Sequence, residues 1–271
     1  MPELPEVETT VRGLRPVLQG RRLTRVEPRR ADLRHAIPAD LRQRLTGATV
    51  TGLGRRAKYG LIDTDRGDTL IFHLGMSGRW RIDPEEIGKH DHLLLETDAG
   101  HVLALNDPRR FGSLDLVATG EIDAFPAFKA LGPEPLGPEL TPDHLAARLK
   151  GRIAPIKLLL LDQRVIAGLG NIYVCEALNV ARINPRKPGG QVSTPAIRRL
   201  VEAIPKVLDA AIEAGGSSLR DYARPDGELG YFSSQFRVYG REGEKCPYDG
   251  GIIRRQVDGG RSTFFCPKCQ K

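Results

Sequence analysis

The first six residues of the chain combine an unusual nucleophile with two carboxylates. Once the initiator methionine is removed, Pro2 carries a free secondary amine, which can attack an electrophilic carbon and form a cationic iminium. The unperturbed pKa of an α-amino group is about 8, so part of it is neutral near pH 7. Glu3 and Glu6 lie three residues apart, on one face of a helix, where they can transfer protons or hold the amine. The same residues also suit an ordinary helix start, and both interpretations stay open at this point.

A second group of reactive side chains lies at the C-terminus. Cys266 and Cys269 form a Cys-x-x-Cys knuckle of the kind that binds Zn²⁺, and Cys246 supplies one ligand of an upstream pair. Asp249 stands where the second upstream cysteine is expected, and its carboxylate is a harder donor than a thiolate. Three interpretations remain: a zinc site with Asp249 as fourth ligand, which we favour, a weakened site, and a metal-free ribbon. Cys175 is expected to be a small core residue.

Four further motifs place polar or basic side chains beside glycines and turns. They are Arg55-Arg56-Ala57-Lys58-Tyr59, His73-Leu74-Gly75-Met76-Ser77-Gly78, Asp107-Pro108-Arg109-Arg110-Phe111-Gly112 and Gly168-Leu169-Gly170-Asn171. Glycines before a helix N-terminus expose N–H groups that can bind phosphate. Taken singly, each motif has an ordinary explanation, such as a solvated lysine, an interhelical turn, or core positions for Met76 and Phe111.

The composition narrows the class of protein. The chain has 271 residues, 41 Lys and Arg against 34 Asp and Glu, and a net charge of +7, a balance that suits a polyanionic partner such as nucleic acid. Its length allows two domains with their own cores. We see no apolar run long enough to cross a bilayer and no signal-peptide pattern, so we expect a cytoplasmic protein.

The elements that must position these residues differ between the two halves of the chain. An apolar stripe of helical period runs from Leu4 to Leu18, and Gly20 ends it. Residues 21–117 are predicted to form short strands and turns, with a hairpin at 98–100, which is typical of a sandwich or flattened barrel. A segment rich in proline and glycine at 125–140 is predicted to be the linker.

The second half changes to a helical period. Helices are predicted after Thr141-Pro142, over 156–161, over 172–180, and from Ser193-Thr194-Pro195 to Ala214, where Gly215-Gly216 ends the last one. A small ribbon around the cysteines begins at Val238. The predicted fold class is α+β, in two unlike halves.

Together, the motifs resemble one known family. Pro-Glu-Leu-Pro-Glu-Val-Glu-Thr after Met1, Lys58 in its basic loop, Gly168–Tyr173 and Gly260–Cys266 are similar to the formamidopyrimidine-DNA glycosylases. The resemblance implies an N-terminal β-sandwich domain with flanking helices (1–132), a helix–two-turn–helix domain with a lesion-capping loop (133–237) and a zinc-ribbon-like finger (238–271). Asp249 is the clear departure from the family's four-cysteine ribbon.

The resemblance also implies a reaction and its residues. The reaction is removal of oxidised purines, such as 8-oxoguanine and formamidopyrimidines, from damaged double-stranded DNA, followed by β,δ-elimination. Pro2 would be the nucleophile, Glu3 the proton donor and Glu6 an orienting carboxylate. The phosphates flanking the lesion would be held by Lys58, Asn171 and Arg261. Lys58 would also assist elimination, and Arg261 is counted with the catalytic residues. The space left by an extruded base would be filled by Met76, Arg109 and Phe111, and further DNA contacts would come from His90 and Arg152.

The remaining expectations concern cofactor, oligomeric state and alternatives. We expect one structural zinc ion, a monomer and no membrane association. Within the fold, an endonuclease VIII-like glycosylase for oxidised pyrimidines is the first alternative. From a different class, a non-catalytic protein that binds damaged DNA would keep the basic cleft and the ribbon without the reaction.

Overall fold

The computed structural model describes the whole chain except Met1 and positions 218–224, 226, 228 and 229. The chain divides into two compact units. The first consists of Met1–Lys129 and Ala214–Tyr231, and the second consists of Ala130–Glu213 and Phe232–Lys271. Within the described residues, no helix is both long and apolar enough to span a bilayer.

The first unit begins with the predicted helix α1, Leu4–Leu18. Its apolar stripe is buried, and Gly20 follows with φ +76°, a conformation that glycine adopts without strain. Glu3 is the N-cap residue, and its backbone N–H donates to the Glu6 carboxylate at 2.8 Å. This contact satisfies an N–H group that a helix start would otherwise leave without a partner.

Two antiparallel sheets follow α1 in the described part of the first unit. The first has the order β1 (Leu23–Pro28), β6 (Asp91–Thr97), β7 (Val102–Asn106), β5 (Arg79–Ile82). The second has the order β2 (Val50–Arg56), β3 (Tyr59–Thr64), β4 (Asp68–His73), β8 (Ser113–Ala118). Short helices α2 (Leu41–Leu45) and α3 (Pro126–Lys129) lie outside the sheets.

The inner faces of the two sheets and the apolar stripe of α1 form a single buried cluster. The rings of Phe72, on β4, and Trp80, on β5, meet edge to face with centroids 5.6 Å apart. The N-terminal β-sandwich with flanking helices is therefore confirmed, as is the hairpin at 98–100, which joins β6 to β7. Strands β1 and β5 lie within the part predicted to form strands and turns, but their positions were not predicted, because both are short and carry charged residues between their apolar ones.

The second unit contains the predicted helices and the ribbon. The helices are α4 (Pro142–Leu149), α5 (Ile156–Leu161), α6 (Asn171–Val180) and α7 (Thr194–Glu213). Thr141 Oγ1 accepts the His144 N–H at 3.1 Å, which is the predicted cap of α4. Between α5 and α6, the Gln163 side chain accepts the Gly168 N–H at 2.8 Å and donates to the Leu169 carbonyl at 2.8 Å. Strands β9 (Arg254–Asp258) and β10 (Arg261–Phe265) form the ribbon.

Candidate functional site

The two carboxylates at the start of α1 are buried with the proline before them. Pro2, Glu3 and Glu6 are all buried. Glu6 uses one oxygen to accept the Glu3 N–H, and its other oxygen accepts the N–H and the hydroxyl of Ser217 at 2.8 and 2.9 Å. The positive end of the helix dipole favours negative charge at this place. The start of α1 therefore brings an imino nitrogen and two acidic groups into one buried corner.

The turn that carries Lys58 is tied to the same helix. Lys58 lies in the β2–β3 turn, where Ala57 adopts φ +52°, and its side chain is almost fully buried. Arg55 donates to the Ala57 carbonyl at 2.9 Å and to the Glu8 carboxylate of α1 at 3.1 Å. Because Glu8 belongs to the first turns of α1, this bridge fixes the lysine turn against the helix that follows Pro2 and Glu3.

His73 is a member of this site that sequence reasoning missed. It pairs with Tyr59 in the β3–β4 ladder, and its ring lies 4.8 Å from the Tyr59 ring. Burial, and then the Lys58 and Arg34 charges, lower the pKa of His73 to about 4, so it is neutral at pH 7. Its Nδ1 accepts the Gly75 N–H at 3.0 Å, which leaves the ring proton on Nε2. The only sequence signal was a histidine directly before a glycine-containing turn.

Two loops of the sandwich bring together the predicted wedge, defined here as Met76, Arg109 and Phe111. The guanidinium carbon of Arg109 lies 4.8 Å from the centre of the Phe111 ring. Phe111 is 47% exposed and Met76 is half-buried, so the interpretation of Phe111 as a core residue is wrong. The wedge presents an apolar and a cationic surface to solvent.

His90 lies in the first unit, in the loop before β6. The Asp107 N–H donates to the His90 carbonyl at 2.9 Å. The neighbouring Asp91 carboxylate is buried and accepts the Gly88 N–H at 2.7 Å and the Arg81 guanidinium at 3.0 Å. This buried carboxylate fixes the loop that presents His90.

Asn171 lies beside the residue that follows Arg261 in the second unit. The Asn171 side-chain amide donates to the carbonyl of Ser262, the residue after Arg261, at 2.9 Å. Lys157, which is fully buried, donates to the same carbonyl at 3.0 Å and to Thr263 Oγ1 at 2.7 Å. Arg261 itself is exposed at the start of β10. Sequence reasoning did not identify Lys157, because its acceptors lie more than a hundred residues further along the chain.

Arg152 is also exposed, in a loop of the second unit. The Gly190 N–H donates to its carbonyl at 2.8 Å. The lesion-capping loop was expected in the polar segment 217–239, and positions 218–224, 226, 228 and 229 of that segment lie outside the described residues, as does Met1.

The cysteine-rich ribbon forms a compact group of four ligand atoms. The donor atoms of Cys246, Asp249, Cys266 and Cys269 all lie within 4.8 Å of one another. The Cys246 and Cys269 sulfurs are 4.0 Å apart, and the Cys266 sulfur is 3.4 Å from Asp249 Oδ1. A tetrahedron with Zn–S of ~2.3 Å and Zn–O of ~2.1 Å has edges of roughly 3.6–3.8 Å, so these groups fit a zinc ion. Cys175 is buried in the small core beside them, as expected.

The pKa values of two of the four ligands are shifted in opposite directions. Burial, and then the neighbouring Cys246 thiol, raise the pKa of Cys269 to about 12. Hydrogen bonding from the Gly251 N–H lowers the pKa of Asp249, whose carboxylate accepts it at 2.9 Å. A divalent ion among the sulfurs would stabilise their thiolate forms.

Comparison with known proteins assigns the whole chain to one family. Three family models match: the formamidopyrimidine-DNA glycosylase N-terminal domain at residues 1–114, the H2TH domain of the same family at 131–223, and the zinc finger found in FPG and IleRS at 243–271. A formamidopyrimidine-DNA glycosylase of Rhizorhabdus wittichii is 73% identical over the full length of both chains.

Solved structures give the same assignment. MutM (Fpg) of Thermus thermophilus is 41% identical, with a TM-score of 0.88 over 99% of this chain and 98% of that one. A Lactococcus lactis Fpg mutant in complex with Fapy-dG-containing DNA is 36% identical, with a TM-score of 0.92 over all of both chains. The chain therefore belongs to the formamidopyrimidine-DNA glycosylase family and is a DNA glycosylase of base-excision repair.

Proposed function

We propose that this member of the formamidopyrimidine-DNA glycosylase family removes 8-oxoguanine and formamidopyrimidines from double-stranded DNA and then cuts the strand. The observation that carries the proposal is the buried start of α1. There Pro2, Glu3 and Glu6 lie together, and the Glu8–Arg55 bridge holds the Lys58 turn against the same helix. An imino nitrogen beside a proton-transferring carboxylate is the arrangement that covalent catalysis at a sugar carbon requires.

The reaction begins with the neutral nitrogen of Pro2, after removal of Met1. It attacks C1′ of the damaged nucleotide, the C1′–N bond to the base breaks, and the sugar ring opens to a cationic iminium on Pro2. Glu3 delivers the proton that the departing base or the opened sugar oxygen requires. The iminium acidifies the C2′ proton, so loss of that proton expels the 3′ phosphate, and a second elimination expels the 5′ phosphate. Hydrolysis of the remaining iminium frees Pro2.

Glu6 acts on this reaction through Glu3. Its two oxygens are engaged by the Glu3 N–H and by Ser217. Glu6 therefore orients the backbone on which both Pro2 and Glu3 stand. Lys58, beside the neutral His73, holds a phosphate of the lesion nucleotide and assists elimination.

The remaining residues bind the DNA. Asn171 and Arg261 hold phosphates, and the Asn171 amide donates to the carbonyl of Ser262, the residue after Arg261. Arg261 is counted with the catalytic residues. Arg109, stacked on Phe111, and Met76 fill the space of the everted base and hold its partner. His90 and Arg152 contribute weaker DNA contacts. Loss of a phosphate contact should weaken binding to all sequences and make the salt dependence shallower.

One structural zinc ion completes the proposed protein. Cys246, Asp249, Cys266 and Cys269 would hold it, as the spacing of their donor atoms supports. The ion would fix the ribbon that presents Arg261 and take no part in the reaction itself. For function we divide the chain into 1–132, 133–237 and 238–271, and propose that it acts as a cytoplasmic monomer at the nucleoid.

Borohydride trapping tests the proposal, because borohydride reduces the iminium to a stable amine. On duplex DNA with 8-oxoguanine opposite cytosine, we expect a covalent protein–DNA adduct. The matched control is a variant with an uncleaved residue before Pro2, which keeps every side chain but turns the imino nitrogen into an amide. Intact mass confirms both N-termini, and the control should give no adduct.

Three other outcomes would contradict the proposal. Tight binding of damaged DNA without an adduct would indicate a non-catalytic binder. Faster release of oxidised pyrimidines than of 8-oxoguanine in a lesion panel would indicate the endonuclease VIII-like alternative. An equal adduct from the blocked control would place the nucleophile elsewhere.

A further inference from the structure

Asp107 is a buried carboxylate to which the reaction proposed above gives no role. It is 1% exposed and lies at the start of the loop that carries Arg109 and Phe111. We propose that Asp107 is the positioning residue of the wedge, holding its two loops in one fixed arrangement for base extrusion. The inference rests on the proposed function, since it concerns how the wedge acts.

Each oxygen of Asp107 holds a different loop. Oδ1 accepts the hydroxyl of Ser77, the residue after Met76, at 2.8 Å. Oδ2 accepts the N–H of Gly112, the residue after Phe111, at 2.8 Å. One carboxylate therefore connects the two places from which the apolar members of the wedge project. A charged acceptor makes both hydrogen bonds stronger than a neutral one would.

A second set of contacts connects the backbone of Arg109 and Arg110 to Ser77 and Asp107. The Ser77 hydroxyl accepts the Arg109 N–H at 3.4 Å, and the Asp107 carbonyl accepts the Arg110 N–H at 3.2 Å. Arg110 adopts φ +57°, a conformation that costs a non-glycine residue energy and persists only where its surroundings enforce it. The turn between Asp107 and Phe111 is thus held in a shape that it would not keep alone.

The two loops also approach too closely to move independently. Gly75 has φ +60°, and a Cβ added there would lie 2.3 Å from the Phe111 carbonyl carbon. A Cβ added at Gly112 would lie 2.7 Å from the His73 carbonyl oxygen. Glycine at both places lets the backbones of the two loops touch, and the Asp107 carboxylate binds both loops beside this contact. Met76 and Phe111 therefore keep a constant separation.

A fixed separation matters for extrusion because the wedge must replace a stacked base. Unstacking and unpairing a nucleotide costs a few kcal/mol, and the inserted side chains must return that energy. If the loops could shift, part of the free energy gained by inserting the wedge would be offset by the cost of ordering the loops. Arg109 would also leave its place over Phe111. A fixed separation of the two loops is not required when the nucleotide is already unpaired.

The test compares Asp107→Asn with a matched control, Asp63→Asn. Asparagine keeps the volume but offers one acceptor oxygen. Its NH₂ then meets either the Gly112 N–H, which is a donor, or the Ser77 hydroxyl, whose proton loses its acceptor. Asp63 accepts a hydroxyl from Thr69 at 2.6 Å in the same sandwich but belongs to neither wedge loop. Single-turnover excision is measured on 8-oxoguanine paired with cytosine and on 8-oxoguanine opposite a gap. 2-Aminopurine next to the lesion reports extrusion by its fluorescence.

We expect Asp107→Asn to slow excision from the paired duplex by ~10–100-fold, the scale of a misplacement of about 1 Å. The gapped substrate should be cut within about threefold of the control, and the 2-aminopurine step should slow in parallel with duplex excision. Ser77→Ala removes the hydrogen bond to Oδ1 and the acceptor of the Arg109 N–H but keeps the contact of Oδ2 with Gly112. It should give a smaller effect in the same direction and serves if Asp107→Asn does not fold.

Two results would overturn the inference. One is duplex excision by Asp107→Asn, or by Ser77→Ala, that matches the Asp63→Asn control. The other is an equal loss on paired and gapped substrates, which a merely structural role predicts. Failure of the unmodified protein to give any borohydride adduct would instead remove the proposed function, and this inference with it.

Discussion

The start of α1 and the ribbon of β9 and β10 both present functional side chains, but their interiors differ. α1 rests on a continuous apolar cluster that spans both sheets of the sandwich. The ribbon has a small core in which Cys246 and Cys266 are themselves candidate metal ligands, and Val257 on β9 is 66% exposed. Apolar burial therefore stabilises the first region, and we expect a bound metal ion to stabilise the second.

The comparison explains how each region holds a charged group. In the sandwich, Glu6, Asp91 and Asp107 are buried with backbone N–H or side-chain partners, so each fixes a loop against a rigid core. In the ribbon, Lys157 and Asn171 reach across from the helices to the Ser262 carbonyl. Buried carboxylates of the sandwich itself hold its loops, whereas the ribbon is held by side chains of the neighbouring helices.

Removal of the metal should have the largest effect and should affect one region only. Metal binding contributes on the order of 10 kcal/mol to the folding of a zinc-finger peptide, so Cys266→Ala or a chelator should unfold the ribbon. We expect loss of zinc by atomic spectroscopy and rapid tryptic cleavage at the exposed Arg254 and Arg255. The single tryptophan, Trp80, is buried in the sandwich, and its fluorescence should not change. A concurrent change in Trp80 emission would show that the two regions fold together.

A cavity in the sandwich should give the converse result. Leu14 on α1 is fully buried, and Leu14→Ala should lower the free energy of unfolding by about 2–5 kcal/mol. Urea denaturation followed by Trp80 fluorescence measures it. Zinc content should stay at the value of the unmodified protein. Arg12→Ala, on the exposed side of the same helix, is the control and should change stability by less than about 0.5 kcal/mol.

The pH dependence of the sandwich should carry the signature of His73. The unfolded residue titrates near 6.5 and the folded one at about 4, so between these values the unfolded chain binds more protons. The free energy of unfolding should therefore fall by roughly 2–3 kcal/mol as pH drops from about 6.5 to 4. Above that range the contribution of His73 to stability should be fully present. His73→Asn, which keeps an acceptor for Gly75, should remove this component. A profile unchanged by His73→Asn, or reproduced by the exposed control His35→Asn, would contradict the assignment.

Asp249→Cys should produce the smallest effect and sharpen the comparison most. An all-sulfur ligand set should retain zinc ~10–100-fold longer against a chelator, the scale of changes seen around metal ligands. Asp249→Ala should release zinc faster than the unmodified protein. If Asp249→Ala and the unmodified protein release zinc at the same rate, Asp249 is not a ligand. Trp80 unfolding should be the same in all three proteins.

Features encoded within a few residues were predictable from sequence. The periodic stripe of α1, the cap at Thr141-Pro142 and the glycines after α7 mark their elements locally, and the structure agrees at each. Composition indicated only a polyanionic partner, and the candidate functional residues came from the family resemblance.

The contacts missed from sequence are those set by register and by distant pairing. His73 joins the Lys58 turn because β3 and β4 pair Tyr59 with His73, and one residue of slip would have turned it away. Asp107 meets Ser77 across 30 residues, and Lys157 meets Thr263 across 106. Hydrophobic patterning contains no information about such pairs, since the partners are single polar side chains.

The contacts that hold the chain beside Arg261 have a consequence for how sequences of the family can diverge. Lys157 and Asn171 bind the main-chain carbonyl of position 262, an atom that every amino acid supplies. Thr263, in contrast, contributes its hydroxyl and has no access to solvent. The Ser262 hydroxyl accepts a hydrogen bond only from the exposed Arg255 guanidinium, among the contacts described. Across an alignment of relatives, position 262 should therefore vary more than positions 157 and 263, which should be replaced together.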